Sequence, residues 1–75
     1  MKLIDVLKLI DDSTIISLYS RRFDPETKED EDILAAFGLK IEIKINEKYL
    51  NAPVIYWNAT YFTNENNVCY ILIEG

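Results

Sequence analysis

The chain has 75 residues, with 13 acidic and 8 basic side chains, two glycines, one cysteine and no histidine. This length fits one small domain, residues 1–75. A chain without histidine cannot form a Ser-His-Asp or Cys-His arrangement, one cysteine cannot build a cysteine-based zinc site, and two glycines leave no glycine-rich phosphate loop. We therefore expect no catalytic residue, no metal site and no cofactor, and we do not expect an enzyme.

The acidic excess also bears on partners and location. A net charge of −5 and a sequence pI near 4.5 argue against binding to nucleic acid or to anionic lipid. The longest stretch without a charge, Tyr49 to Asn64, is broken by polar residues and is too short for a membrane span. The early acid at Asp5 does not fit a signal peptide, and a lone cysteine suits a reducing compartment. We expect an intracellular protein without membrane contact.

The first third of the chain predicts a helix followed by a strand. Apolar residues recur at helical spacing at Leu3, Val6, Leu7 and Ile10, which predicts an amphipathic helix over 2–11. Residues 14–20 are rich in β-branched side chains and predict a strand with Ile16, Leu18 and Ser20 on one face. Arg21 and Arg22 then lead into a loop.

The next segment is strongly acidic and has two interpretations. Residues 24–32 hold six acids and one base, so they carry a net charge of −5, as the whole chain does. Acids at a helix start, apolar residues after them and Gly38 as a cap favour a short helix over 29–37. The alternative is a hairpin whose second strand begins near Ile33.

The second half of the chain predicts three strands. Residues 39–45 alternate strictly between apolar and charged side chains, which is typical of a half-buried strand. Residues 46–53 connect it to the next strand, which must begin after Pro53 because proline cannot donate to a sheet. Residues 54–62 and 68–73 predict a β-hairpin around a polar turn at 63–67.

Together these elements predict the α+β class. We expect a three- to four-stranded, mostly antiparallel sheet with the N-terminal helix packed on one face, and a second short helix if 29–37 is helical.

Two groups of residues are candidates for binding a partner. The first is the acidic segment, which suits a basic protein surface, although the default interpretation is a solvated loop and a negatively charged helix start. Its spacing lacks the pattern of a calcium loop. The second is the aromatic hairpin, whose rings exceed what one helix can cover; the alternative is that cross-strand ring pairs simply stabilise the sheet. The candidate residues are Asp24, Glu26, Glu29, Asp30, Glu31, Asp32, Tyr56, Trp57, Tyr61 and Phe62, with Tyr70 as a further hairpin ring.

Two smaller features have structural interpretations. Arg21 and Arg22 are expected to balance the nearby acids, although such a pair can also grip a carboxylate or phosphate. Cys69 lies within an apolar strand and is expected to be a buried, inert thiol.

The two ends of the chain carry a resemblance. The opening from Leu3 to Tyr19, with its Asp11-Asp12-Ser13-Thr14 corner, and the ending from Asn66 to Glu74 resemble small uncharacterised phage and prophage proteins of low-GC Gram-positive bacteria. Such proteins begin with a short helix, an Asp-Asp-x-Thr corner and a strand. The resemblance implies a phage origin and makes an anti-CRISPR or other anti-defence role plausible. It transfers no site residues.

These observations lead to two functional hypotheses. The first is a non-enzymatic protein-binding module in the cytoplasm of the host cell, a phage-encoded inhibitor that covers the basic surface of a host nuclease or another nucleic-acid-binding protein. The second is a small accessory phage protein that forms a homodimer through its sheet.

Overall fold

The computed structural model describes residues 1–61 and 67–75, apart from the side chains of 59–61. A short helix, α1, spans Leu3–Leu7, and a 3-10 turn spans Glu47–Tyr49. The strands are β1 (Ile15–Asp24), β2 (Glu29–Leu39), β3 (Val54–Tyr61) and β4 (Asn67–Glu74). The predicted α+β class is confirmed. None of the described helices is long and apolar enough to cross a membrane.

The four strands form one mixed sheet in the order β2-β1-β4-β3. The β1–β2 and β3–β4 pairs are antiparallel, whereas the central strands β1 and β4 run parallel. The sheet is therefore mostly antiparallel, as expected, and β2 and β3 are its edges.

The hydrophobic core lies between α1 and one face of the sheet. Leu3 and Val6 of the helix are fully buried there. Their sheet-side neighbours alternate along the two central strands and are Ile16 and Leu18 of β1 with Cys69, Ile71 and Ile73 of β4. Ile16, Leu18 and Ser20 share one face of β1, as predicted, and the structure shows that this face is the buried one.

The N-terminal helix is shorter than the predicted 2–11. After Leu7 the chain tightens, since the Leu9 amide donates to Val6 and the Ile10 amide donates to Leu7, three residues back in each case. Ile10 still reaches the core, but Leu9 is exposed. The apolar spacing correctly predicted which side of the helix packs against the core. The helix ends early because the chain turns after Leu7 to reach β1.

The first strand is longer than predicted and includes Arg21 and Arg22, which do not begin a loop. A four-residue turn at 25–28 follows it. Asp24 organises this turn, because its carboxylate accepts the Glu26 amide at 2.9 Å and its carbonyl accepts the Lys28 amide at 2.8 Å. Lys28 adopts a φ of 58°, which reverses the chain into β2.

The helix favoured for 29–37 is wrong, and the alternative hairpin is correct. In a helix, Glu29 and Asp32 would lie on one side and repel each other, whereas a strand sends neighbouring acids to opposite faces. The strand also sets Asp32 opposite Arg21. Gly38 is part of the strand, where its φ is 151°, and does not cap a helix.

The strand predicted for 39–45 is also wrong. The residues after Leu39 do not fold back onto the free outer edge of β2 as a further strand. They turn instead: the Lys40 amide donates to Thr14 at 2.8 Å and the Ile43 amide donates to Leu39 at 2.7 Å. Ile43 and Ile45 pack against the core, whereas Ile41 is 70% exposed. The alternating pattern therefore includes two side chains that pack against the core, although the segment is not a strand.

The C-terminal hairpin is confirmed. Its first strand begins directly after Pro53, and β3 pairs antiparallel with β4. Most of the predicted turn at 63–67 lies outside the described residues, and Asn67 already belongs to β4. An extra residue, Ile55, interrupts the register near the start of β3.

Candidate protein-interaction surface

One face of the sheet has no helix or loop packed against it among the described residues. The helix α1 and the connection with Ile43, Ile45 and Tyr49 all pack on the other side, against the core. Alternation along the strands sets a separate group of side chains on this uncovered side, which we call the open face. Its main members are Tyr19, Arg21, Phe23, Asp30, Asp32, Leu34, Phe37, Tyr56, Asn58, Tyr70 and Leu72.

Large apolar side chains are exposed on the open face. Phe23, Leu34, Phe37 and Tyr56 show 63%, 53%, 64% and 50% of their surface to solvent. Three of the four lie on the β1–β2 hairpin. A sheet face that exposes several large apolar side chains is a candidate interaction surface.

Three tyrosines form the centre of the open face. The ring centres of Tyr19 and Tyr70 are 5.2 Å apart, and those of Tyr56 and Tyr70 are 6.2 Å apart, both in tilted arrangements. Leu72 lies opposite Tyr19 and Tyr56 in the strand register and is buried. The Asn58 side-chain amide donates to the Tyr56 hydroxyl at 2.8 Å. Ring contacts and this hydrogen bond hold the cluster in a defined shape.

An ion pair borders the tyrosines on β1 and β2. The Arg21 Nε donates to Oδ1 of Asp32 at 2.9 Å, and a terminal nitrogen of Arg21 donates to Oδ2 at 3.3 Å. These hydrogen bonds lower the pKa of Asp32 and raise that of Arg21. Partial burial raises the pKa of Tyr70, and the charge of Asp32 adds to that effect. The expectation that Arg21 balances a nearby acid is therefore confirmed.

The acidic segment forms the tip of the β1–β2 hairpin and part of the β2 edge. Beyond the Arg21–Glu74 rung, β1 pairs with β2 alone, so residues 22–31 form a two-stranded ribbon. Alternation sets Asp30 and Asp32 on the open face and Glu29 and Glu31 on the opposite one. The predicted acids therefore do not form a single patch. In the ranges 1–61 and 67–75, no three acidic or cysteine side chains are grouped closely enough to hold a metal ion.

The aromatic candidates also separate. Tyr56 lies on the open face, but the adjacent Trp57 lies on the helix side, where it is 36% exposed and borders a groove with Leu9 and Ile10. The backbone of Tyr61 pairs with Asn67, while its side chain and all of Phe62 lie outside the described residues. Of the four predicted rings, Tyr56 is the one that the structure places with the acids of the open face.

Burial of Cys69 agrees with its predicted role. Its side chain is 1% exposed within the core, and burial raises the pKa of its thiol. The thiolate, which is the reactive form, is therefore disfavoured.

Sequence reasoning missed the apolar half of the open face. Leu34 and Phe37 were assigned to a helix, so their exposure on a sheet could not be foreseen. Phe23 follows Arg22, where a loop was expected, although it continues β1. The usable signal was the alternation of Tyr19, Arg21 and Phe23 opposite the inward residues Ile16 and Leu18, which points to a longer strand with a second, partly apolar face.

Comparison with known proteins identified no relative: no protein-family model, no curated protein and no solved structure matches the chain. The candidate surface therefore depends on its own geometry.

Proposed function

We propose that this chain is a non-enzymatic protein-binding module whose open face docks onto a basic partner protein. The observation that carries the proposal is the set of four large, exposed apolar side chains on one uncovered sheet face. Tyrosine, phenylalanine and arginine are enriched at protein interfaces, and a preformed sheet presents them with little loss of conformational entropy.

The acids supply the preference for a basic partner. Asp30 and Asp32 lie on the open face beside the apolar residues, and Asp32 already shares its charge with Arg21. Asp24 is half-buried, but Glu26, Glu29 and Glu31 of the hairpin are exposed and would speed encounter with a positively charged surface. Binding through this face would cover the partner's basic surface.

The class of partner follows from the resemblance of the two chain ends to phage proteins. We propose a host defence protein or another nucleic-acid-handling protein, such as a nuclease, whose basic surface the module occludes in the cytoplasm of the host cell. Covering the partner's basic surface in this way would need no catalytic residue in the module.

An affinity capture from a low-GC Gram-positive lysate tests this proposal. Three baits are compared: the unchanged chain, Phe23→Ser/Phe37→Ser on the open face, and Leu9→Ser/Ile41→Ser outside it, which removes equally exposed apolar side chains. Circular dichroism checks that all three fold. We expect one basic protein to be captured by the first and third baits and not by the second. Capture of no specific protein, or equal capture by all three, contradicts the proposal.

A functional assay tests the role of the acids. The variant Glu29→Gln/Asp30→Asn/Glu31→Gln retains Asp32 and its ion pair with Arg21. We expect it to lose inhibition in a phage-defence assay and to bind the captured partner with a weaker dependence on salt. Full inhibition by this variant contradicts the electrostatic part of the proposal.

Self-association is the second candidate function, and the exposure of Phe37 and Leu34 on the same face favours it. Two copies stacked on their open faces would bury these side chains but would also remove the charged Asp30 and Asp32 from water. Sedimentation analysis separates the candidates: a stable dimer that Phe37→Ser disrupts supports self-association, and a monomer supports binding to another protein.

A further inference from the structure

Among the described residues, no strand pairs with the long outer edge of β2. Within the described ranges, the backbone of residues 29–38 has hydrogen-bonding partners in β1 alone, while the Leu39 carbonyl accepts the amides of Glu42 and Ile43. The β3 edge differs, because the Val54 amide donates to Met1 at 2.8 Å and Lys2 bridges to Pro53. The β2 edge can therefore accept a further strand.

A groove lies beside the apolar part of this edge. Its volume is about 410 Å³, and it runs between the end of β2 and the following turn, with Phe37, Leu39, Glu42 and Ile43 among its walls. A free strand edge next to a groove is the arrangement used for strand addition. In that binding mode, main-chain hydrogen bonds give affinity and alternate side chains enter neighbouring pockets.

The charges of β2 decide which segment fits. The strand holds four acids in succession at 29–32, no base, and then the apolar run that begins at Ile33. The β2 edge of a second copy has the same composition and offers no cation to the four acids. A segment with basic residues at one end and apolar residues at the other complements both parts.

We propose that the β2 edge binds an extended segment of a partner protein, with Lys or Arg beside residues 29–32 and apolar side chains beside residues 33–39. This inference rests on the proposed function, since it specifies how a basic protein partner is held. The segment would become a fifth strand, and its side chains would extend the open face next to Leu34 and Phe37.

The irregular part of β2, near Ala35 and Gly38, separates a region suited to main-chain pairing from a region suited to side-chain packing. The register with β1 is continuous from Glu29 to Leu34 and shifts at Ala35, and Gly38 has a φ of 151°. Bulges end regular pairing at sheet edges. We therefore expect main-chain pairing along residues 29–34 and side-chain packing into the groove beyond the bulge.

Synthetic peptides provide the test. One blocked peptide reads Arg-Lys-Arg-Lys-Val-Thr-Val-Thr-Val, and a second has the reverse sequence, so that both strand directions are sampled. Each is added to the full ¹⁵N-labelled chain, and amide hydrogen exchange is followed by NMR. We expect at least one peptide to slow exchange at alternate amides within residues 29–34. The same peptide with all the amides of its basic half N-methylated should lose this protection, because it retains its charges but can no longer donate hydrogen bonds to β2 from either of its edges.

Matched variants test the charge complementarity. Asp30→Asn/Glu31→Gln removes two acids from the edge, and Asp11→Asn/Glu47→Gln removes two exposed acids elsewhere. We expect peptide affinity to fall about three- to tenfold for the first variant and to stay within twofold for the second. Equal losses in the two variants contradict recognition by β2.

Three other outcomes overturn the inference: neither peptide binds, binding leaves the 29–34 amides unprotected, or the shifts centre on Tyr19, Tyr56 and Tyr70. These outcomes leave the proposed function standing if the lysate capture succeeds. If the edge amides are protected but the lysate yields no partner, strand addition is supported and the proposed function is contradicted. Failure of the inference and failure of the proposed function are therefore distinguishable.

Discussion

Arg21 and Asp32 lie directly opposite each other on β1 and β2, and the guanidinium contacts both carboxylate oxygens, at 2.9 and 3.3 Å. Asp32 is the member of the acidic segment that takes part in an ion pair among the described residues. The pair lies on the open face, so it fixes the geometry of one acid while its neighbours on β2 are left to interact with solvent or with a partner.

Replacing Arg21 with glutamine should change how the chain responds to acid. We expect the pKa of Asp32 to rise from its lowered value toward 3.8, because the hydrogen bonds that favour the carboxylate are lost. With the folded-state pKa lowered, the stabilisation by charged Asp32 is present in full above pH 3.8. It is lost as the pH falls through the folded-state pKa.

An NMR titration of the Asp32 carboxyl carbon measures that change, and urea unfolding at neutral and acidic pH measures its effect on stability. The control is Arg22→Gln, since Arg22 lies opposite Glu31 on the other face. The same Asp32 pKa in Arg21→Gln and in the unchanged chain would show that the ion pair does not form in solution.

Two isoleucine-to-valine changes compare a buried core residue, Ile71, with an exposed residue of the alternating segment, Ile41. Ile71 is fully buried, so Ile71→Val should lower the free energy of unfolding by about 0.5–1.5 kcal/mol. Ile41 belongs to the alternating 39–45 segment but is 70% exposed, so Ile41→Val should change it by less than about 0.5 kcal/mol. Chemical denaturation measures both values. A larger effect at Ile41 than at Ile71 would mean that 39–45 forms the predicted buried strand after all.

Gly38 should resist replacement for a backbone reason. Its φ of 151° is rarely adopted by residues with a side chain, although the space around it is open. We expect Gly38→Ala to destabilise the chain by roughly 1–3 kcal/mol. Glu42→Ala in the adjacent exposed turn should have an effect below about 0.5 kcal/mol. Thermal and urea unfolding give the comparison, and equal stability of Gly38→Ala and the unchanged chain would contradict the observed backbone conformation.

Cys69 should react slowly with thiol reagents. Its side chain is 1% exposed and burial raises its pKa, so both access and the thiolate fraction are low. At pH 8 we expect Ellman's reagent to modify it roughly an order of magnitude or more slowly than in urea. The comparison variant Cys69→Ala/Thr27→Cys carries its thiol in the exposed hairpin turn. Equal rates for the two folded proteins would place Cys69 outside the core.

Local patterns in the sequence allowed part of the sheet to be predicted. Alternation correctly placed Ile16 and Leu18 on the same face of β1, and Pro53 correctly marked the start of β3. These predictions succeeded because side-chain periodicity and the missing proline amide act locally.

The predictions that failed depended on distant residues. Whether 29–37 became a helix or a strand was decided by the free edge of β1 and by Arg21 opposite Asp32. Whether 39–45 became a strand was decided by the turn after Leu39, where the Lys40 amide donates to Thr14 and the Ile43 amide donates to Leu39. The candidate site was half predicted for the same reason: Tyr56, Asp30 and Asp32 were identified from their composition, whereas Leu34 and Phe37 needed the topology.

The parallel pairing of the two central strands sets the order in which this protein can assemble. Every rung between β1 and β4 joins residues 53 positions apart, as Ile15 and Val68 are. The β1–β2 hairpin closes locally and can form on the ribosome, but β4 must emerge before β3 has any neighbour in the sheet. Tyr19 consequently meets Tyr70 only after translation has passed the final strand. The nascent chain therefore carries the β2 edge before it carries the complete open face.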